Sequence, residues 1–191
     1  MRRLVSLTGS TEGSALLEFA LVLPLLVVFV VGIYDFSGAF NQKQKVAQAA
    51  QQGAITAAAQ PTSDIDTSNA NPDSLQPVVT IIFNSLAGSG VLPLANQGSC
   101  IPSSAGVAHS ALKWTYSISG CSNSVTDNLT IAIDRGWVPA GGPSPVAVGT
   151  QVTVNYPYHW RFNSVIQLLV PGAAYAATTT IVETATVHNQ N

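Results

Sequence analysis

Between Ala15 and Tyr34 a single charged residue, Glu18, interrupts an otherwise apolar run. A carboxylate there has two uses: to reach back to water at a membrane surface, or to pair with a cation inside a helix assembly. Other residues that carry chemistry are sparse. His109, His159 and His188 lack metal-ligand spacing such as H-x3-H, so no metal site is expected. The chain has no G-x-S-x-G, P-loop or G-x-G-x-x-G motif, and no carboxylate pair at a catalytic spacing. Asp64 and Asp66 fall in a polar linker and read as solvated. Asn128-Leu129-Thr130 fits a glycosylation sequon, a three-residue pattern frequent by chance. These residues predict no enzyme, no catalytic residue and no cofactor.

Cys100 and Cys121 are the two cysteines, set in Gly/Ser/Pro-rich surroundings. In an oxidising compartment they read as one disulfide, worth roughly 3 kcal/mol for a loop of about 22 residues. Without export they read as two buried thiols.

The elements that must position these groups begin with a membrane-length segment. Charged residues make up 8% of the 191-residue chain and the net charge is -2. A soluble domain carries about 25% charged residues. The shortfall points to a membrane segment and a neutral polar exterior, and it gives no basis for a nucleic-acid partner. The Ala15–Tyr34 run meets the ~20 residues needed to cross a bilayer. Arg2 and Arg3 precede it, which places the N-terminus in the cytoplasm and the remainder outside. The run is longer than a signal-peptide core, and "DFSGAFNQKQKVAQ" after it offers no A-x-A-like cleavage site, so the helix is predicted to be retained. Pro24 inside it predicts a bend or a loosened turn.

Strong helix formers continue through "NQKQKVAQAAQQGAITAAA", with Val46, Ala49, Ala50, Gly53 and Ala57 in one small-residue stripe. One helix from Ser14 to Ala59, roughly 65 Å long, follows. Pro61 and a polar stretch end it. "NPDSLQPVVTIIFNSLAGSG" reads as a short helix capped by Asp73 or Ser74, with Leu75, Val78, Val79, Ile82 and Leu86 on its apolar face. "ALKWTYSIS", "NLTIAID", "QVTVNYPY" and "TTTIVETATV" read as strands, and "GWVPAGGPSPVAVGT" as a turn-rich connection. "SVIQLLVPGA", Ser164–Ala173, is too short to span a membrane, and with Trp160, Arg161 and Phe162 it reads as core packing rather than an interfacial anchor. The predicted fold class is α+β, a long N-terminal helix packed on a small antiparallel sheet. The divisions are 1–13 as a cytoplasmic leader, 14–36 as a transmembrane helix, 37–60 as its extension and 61–191 as an extracytoplasmic domain.

Gly13 followed by Ser14, Glu18 as the fifth residue from Ser14, and the retained apolar helix are together similar to the class III leader of type IV pilins and pseudopilins. More closely, "EGSALLEFALVLPLLVVFVVGIYDF" resembles the signature of the TadE-like family, minor pseudopilins or assembly proteins of the tight-adherence (Flp) pilus. The resemblance lies in Glu18-Phe19, Leu23-Pro24-Leu25, Gly32 and Asp35-Phe36. It extends through "KVAQAAQQGA" and, more weakly, to the final strands, but not to the stretch from about residue 61 to 149.

The resemblance implies a pilin-like fold and cleavage by a prepilin peptidase between Gly13 and Ser14. The amine freed at Ser14 would then pair with Glu18 which, with Phe19, would register one subunit against the next. The implied partners are that peptidase, pilus assembly platform proteins, other pilin-like subunits and the lipid bilayer. The implied location is the bacterial cytoplasmic (inner) membrane, single-pass, with association to the pilus as a further expectation. An uncleaved single-pass scaffold with an outer partner-binding domain, and a tethered extracytoplasmic enzyme, are the rival readings.

Overall fold

The computed structural model describes residues 11–66, 71–93, 99–102, 106–110, 112–122, 127–139, 148–160, 162 and 178–189. Two helices and five strands are seen among them: α1 (Thr11–Ala59), α2 (Gln76–Gly88), β1 (Val107–Ser110), β2 (Lys113–Ile118), β3 (Leu129–Trp137), β4 (Gly149–His159) and β5 (Thr178–His188). The class is α+β. The chain divides into two compact units, Met1–Gly38 and Ala39–Asn191.

The first unit is the apolar part of α1. From Leu25 to Val30 six successive side chains stand exposed, which covers every direction around the axis. A helix that is apolar all round has no water-facing side. By length and composition it is able to cross a membrane. Pro24 sits inside α1 without ending it. α1 already includes Thr11–Gly13, ahead of the Ser14 start expected from the apolar run.

The second unit is built around the C-terminal part of α1. Val46, Ala49, Ala50, Ala54, Ala57 and Ala58 are fully buried, while Gln48, Gln51 and Gln52 face outward. Small side chains let the helix come close to its neighbours. A Cβ on Gly53 would collide with the Ile82 side chain and lie 3.5 Å from Val152 Cγ1, so both α2 and β4 approach the main chain there. Leu75, the residue before α2, and Val78, Val79, Ile82 and Leu86 within it form the apolar face expected of them and are buried. Neither Asp73 nor Ser74 caps α2. Its N-cap is Leu75, without a side-chain hydrogen bond, and Pro77 in the first turn lowers the number of N–H groups in need of a cap. Ser74 instead turns its main-chain N–H to Asp64 Oδ2, 2.7 Å away.

The strands form one antiparallel meander in the order β1-β2-β3-β4-β5. β1 is an addition to the four expected strands; at four residues, with a register shift against β2, it has too little periodicity to read from sequence. Alternation sends Trp114, Tyr116 and Ile118 of β2, Leu129, Ile131 and Ile133 of β3, and Val152, Val154 and Tyr156 of β4 into the core. Part of the expected turn-rich connection is strand: β3 runs on through Trp137 and β4 begins at Gly149. Between them Asp134 faces Gln151 and Trp137 faces Gly149, a β-bulge that gives β3 one extra residue. Ser164–Ala173 and Arg161 lie outside the described residues.

The close approach at Gly53 is testable. Gly53→Val should destabilise the second unit by about 1–3 kcal/mol through overpacking. Adding Ile82→Ala should recover part of that loss, because the two side chains compete for one space. Denaturant midpoints of the single and double variants measure this, and additive effects would show that the two sites do not touch.

Candidate functional site

The residues singled out for processing and registration all lie on one helix. Gly13, Ser14, Glu18 and Phe19 are exposed on α1, Phe19 at 63%. Ser14 and Glu18 are four residues apart, which on a helix puts them one turn apart on one face. That geometry allows an amine at Ser14 to sit beside the Glu18 carboxylate of its own chain, or of a neighbour offset by a turn.

The cysteines form a disulfide, Cys100–Cys121, with the Cα atoms 4.7 Å apart and both residues buried. Gly120 beside it has φ +73°, and a Cβ there would press on the Ser99 main chain, so glycine fits where bulkier residues strain. This favours the disulfide reading over buried thiols. His109 and His188 are exposed, and His159 lies with Nε2 2.9 Å from Asp127 Oδ2. That contact is close but is not aligned as a full hydrogen bond. Lys43 Nζ and Glu183 Oε1 form a looser ion pair at 3.5 Å, with the lysine well exposed, worth little in water.

One polar cluster was not anticipated from sequence. Arg135 is 1% exposed. Its Nη2 donates to the carbonyl of Gln60, just past the end of α1, at 2.8 Å. The β3 bulge supports this placement: Arg135 N–H donates to Leu112 O, Gly136 N–H donates to the Asp134 side chain, and Asn189 Nδ2 donates to Arg135 O. Thr150 Oγ1 in turn donates to Asn189 Oδ1. Burial pulls the guanidinium pKa down while the charge of Asp64 opposes it. Tyr116 in the same region is pushed up to about 12, first by burial and then by Asp64.

Asp64 is therefore not the solvated linker residue expected. Burial by itself would raise its carboxyl, but the Ser74 main-chain N–H, with smaller help from the Ser74 hydroxyl, the Asp64 main chain and the charge of Arg135, outweighs this and holds it below the usual 3.8. The Ser74 main-chain N–H, 2.7 Å away, is the strongest of these donors. The missed signal was parity: Arg135 continues the inward series of Leu129, Ile131 and Ile133.

Against this geometry, residues 13–54 match the family model described as TadE-like protein, the family whose signature the leader residues resemble. The match covers most of α1 and none of α2 or the sheet. No curated protein and no solved structure matches the chain.

Two outcomes are expected. Reduction of the Cys100–Cys121 bond, or Cys100→Ser with Cys121→Ser, should lower stability by about 3 kcal/mol, read from denaturant midpoints. Because the folded pKa of Asp64 is depressed, its contribution is present above about pH 3.8 and is lost as pH falls through the lower folded value. Asp64→Asn should accordingly destabilise the protein at neutral pH, with the gap to wild type closing in acid, as followed by thermal melts across pH.

Proposed function

We propose that the chain is a minor pseudopilin or pilus assembly protein of a tight-adherence pilus, acting through helix-mediated subunit assembly. The observation that carries this reading is the family match over residues 13–54, which falls on the helix bearing Gly13, Ser14, Glu18, Phe19 and Pro24. The all-round apolar surface of the first unit supports a bilayer or a bundle of like helices as its surroundings. Residues 1–13 would be the cytoplasmic leader, 14–36 the membrane span of the cytoplasmic membrane, 37–60 its extension and 61–191 an extracytoplasmic domain. The disulfide supports an oxidising compartment for that domain. The partners in this reading are a prepilin peptidase, platform proteins and other pilin-like subunits, and the chain performs no catalysis itself.

Cleavage after Gly13 would free an amine at Ser14 near hydrocarbon, where a charge costs on the order of 2.5–3.5 kcal/mol. A paired Glu18 offsets that cost and fixes the register of one helix against another. Phe19 beside it would supply a bulky contact to the neighbouring helix.

An uncleaved single-pass scaffold is the second reading. What favours it is that α1 runs through the Gly13–Ser14 peptide, which then lies within a helical turn that a peptidase must unwind.

Intact-mass measurement of the membrane-extracted protein separates the two: loss of residues 1–13 supports the pseudopilin reading, and a chain beginning at Met1 or Arg2 selects the scaffold. Gly13→Leu should cause the full-length form to accumulate. Glu18→Ala should insert and be processed normally yet abolish piliation, scored by electron microscopy, and wild-type piliation would refute the registering role.

A further inference from the structure

The second unit contains a cavity of about 310 Å³ between α1, the turn after α2 and the end of β4. Rings from Tyr156, Tyr158, His159 and Trp160 line it, with Gln42 from α1 and Val91 from the turn. The rings are fixed in place. The Tyr156 hydroxyl donates to Val91 O at 2.9 Å. Tyr158 and Trp160 meet edge to face, with centroids 5.2 Å apart. The Trp160 Nε1–H donates to Thr179 Oγ1 at 2.7 Å. His159 lies between Thr178 Oγ1, 3.3 Å from Nδ1, and Asp127.

The polar atoms of Tyr156 and Trp160 are thus engaged elsewhere, while His159 Nε2 faces Asp127 without completing a hydrogen bond. Gln42 differs: its Oε1 is buried and has no hydrogen-bond partner. A buried amide oxygen in that state is satisfied by a ligand bringing an O–H or N–H donor. No Lys, Arg, Asp or Glu is among the described lining residues. A charged occupant would lose its hydration there without gaining a counter-charge.

We propose that this cavity binds one neutral pyranose sugar unit. A pyranose presents a C–H-rich face that stacks on aromatic rings, and its hydroxyls supply the donor that Gln42 Oε1 lacks. An aliphatic occupant would leave that oxygen unsatisfied. The volume is at the small end of ligand cavities, roughly 300–1,000 Å³, which suits a single ring rather than a chain of them. The fixed rings lower the ordering cost of binding. With one ring and few hydrogen bonds, the dissociation constant is on the order of 1 mM.

The test uses the full chain in phosphocholine micelles, since glucoside or maltoside detergents would themselves compete. Saturation-transfer NMR is run with the methyl glycosides of glucose, galactose, mannose and N-acetylglucosamine. The expected result is transfer to the ring protons of at least one glycoside. Gln42→Ala should weaken that binding about tenfold. Trp160→Ala should abolish it, Trp160→Phe should retain it, and Thr186→Ala, on the opposite face of the sheet, should leave it unchanged. The proposal is overturned by absence of transfer to all four glycosides, or by transfer that both Gln42→Ala and Trp160→Ala leave intact. Binding of N-acetyltryptophanamide in place of the glycosides also overturns it and assigns the cavity to a peptide side chain.

Discussion

The second unit depends on how it accommodates a guanidinium that has been taken out of water. Arg135 meets the carbonyl of Gln60 where α1 has just ended, and helix ends leave carbonyls without partners. A cation there also meets the negative end of the helix dipole. The β3 bulge, the Leu112 and Asn189 contacts and the depressed Asp64 carboxyl all serve this placement. Removing one partner of such a group leaves a buried charge uncompensated, which costs more than the pair itself contributes. Helix end, bulge and the residue after the final strand are therefore coupled through one residue, its side chain reaching Gln60 and its main chain Leu112 and Asn189.

Much of the remaining packing follows from side-chain size. A stripe of alanines with Gly53 lets α1 lie near both α2 and β4, and branched residues from those elements fill the space. The contribution of any one alanine is small. The buried area of the larger partners, at about 25 cal/mol per Å², supplies most of the stabilisation.

These features differ in how far sequence alone reveals them. The α1 stripe and the apolar face of α2 repeat at helical spacing, and both are buried as that spacing requires. Four strands show alternation, and the cysteines pair as an oxidising compartment allows. What was hidden depends on long-range geometry. Asp64 looks like any linker carboxylate until Ser74 and Arg135 are folded against it. The N-cap of α2 falls on Leu75, and Ser74 gives its main-chain N–H to Asp64 instead. β1 is too short to carry a period. The cavity draws residues from α1, the turn after α2 and β4, which no local pattern connects. The leader residues are the reverse case: Gly13, Ser14 and Glu18 carry a recognisable pattern, while their helix geometry adds only that two of them share a face.

The contact between Arg135 and Gln60 spans 75 positions of the chain. A chain emerging from the ribosome therefore makes the end of α1 long before it makes the group that completes it. The same holds for the stripe around Gly53, whose partner Val152 comes later still. During that interval the exposed surface of the stripe is mostly methyl groups, which gives unfinished chains little to adhere to. The small residues that permit tight packing in the finished protein thus also leave less apolar area uncovered on that stretch of the unfinished one than larger side chains would.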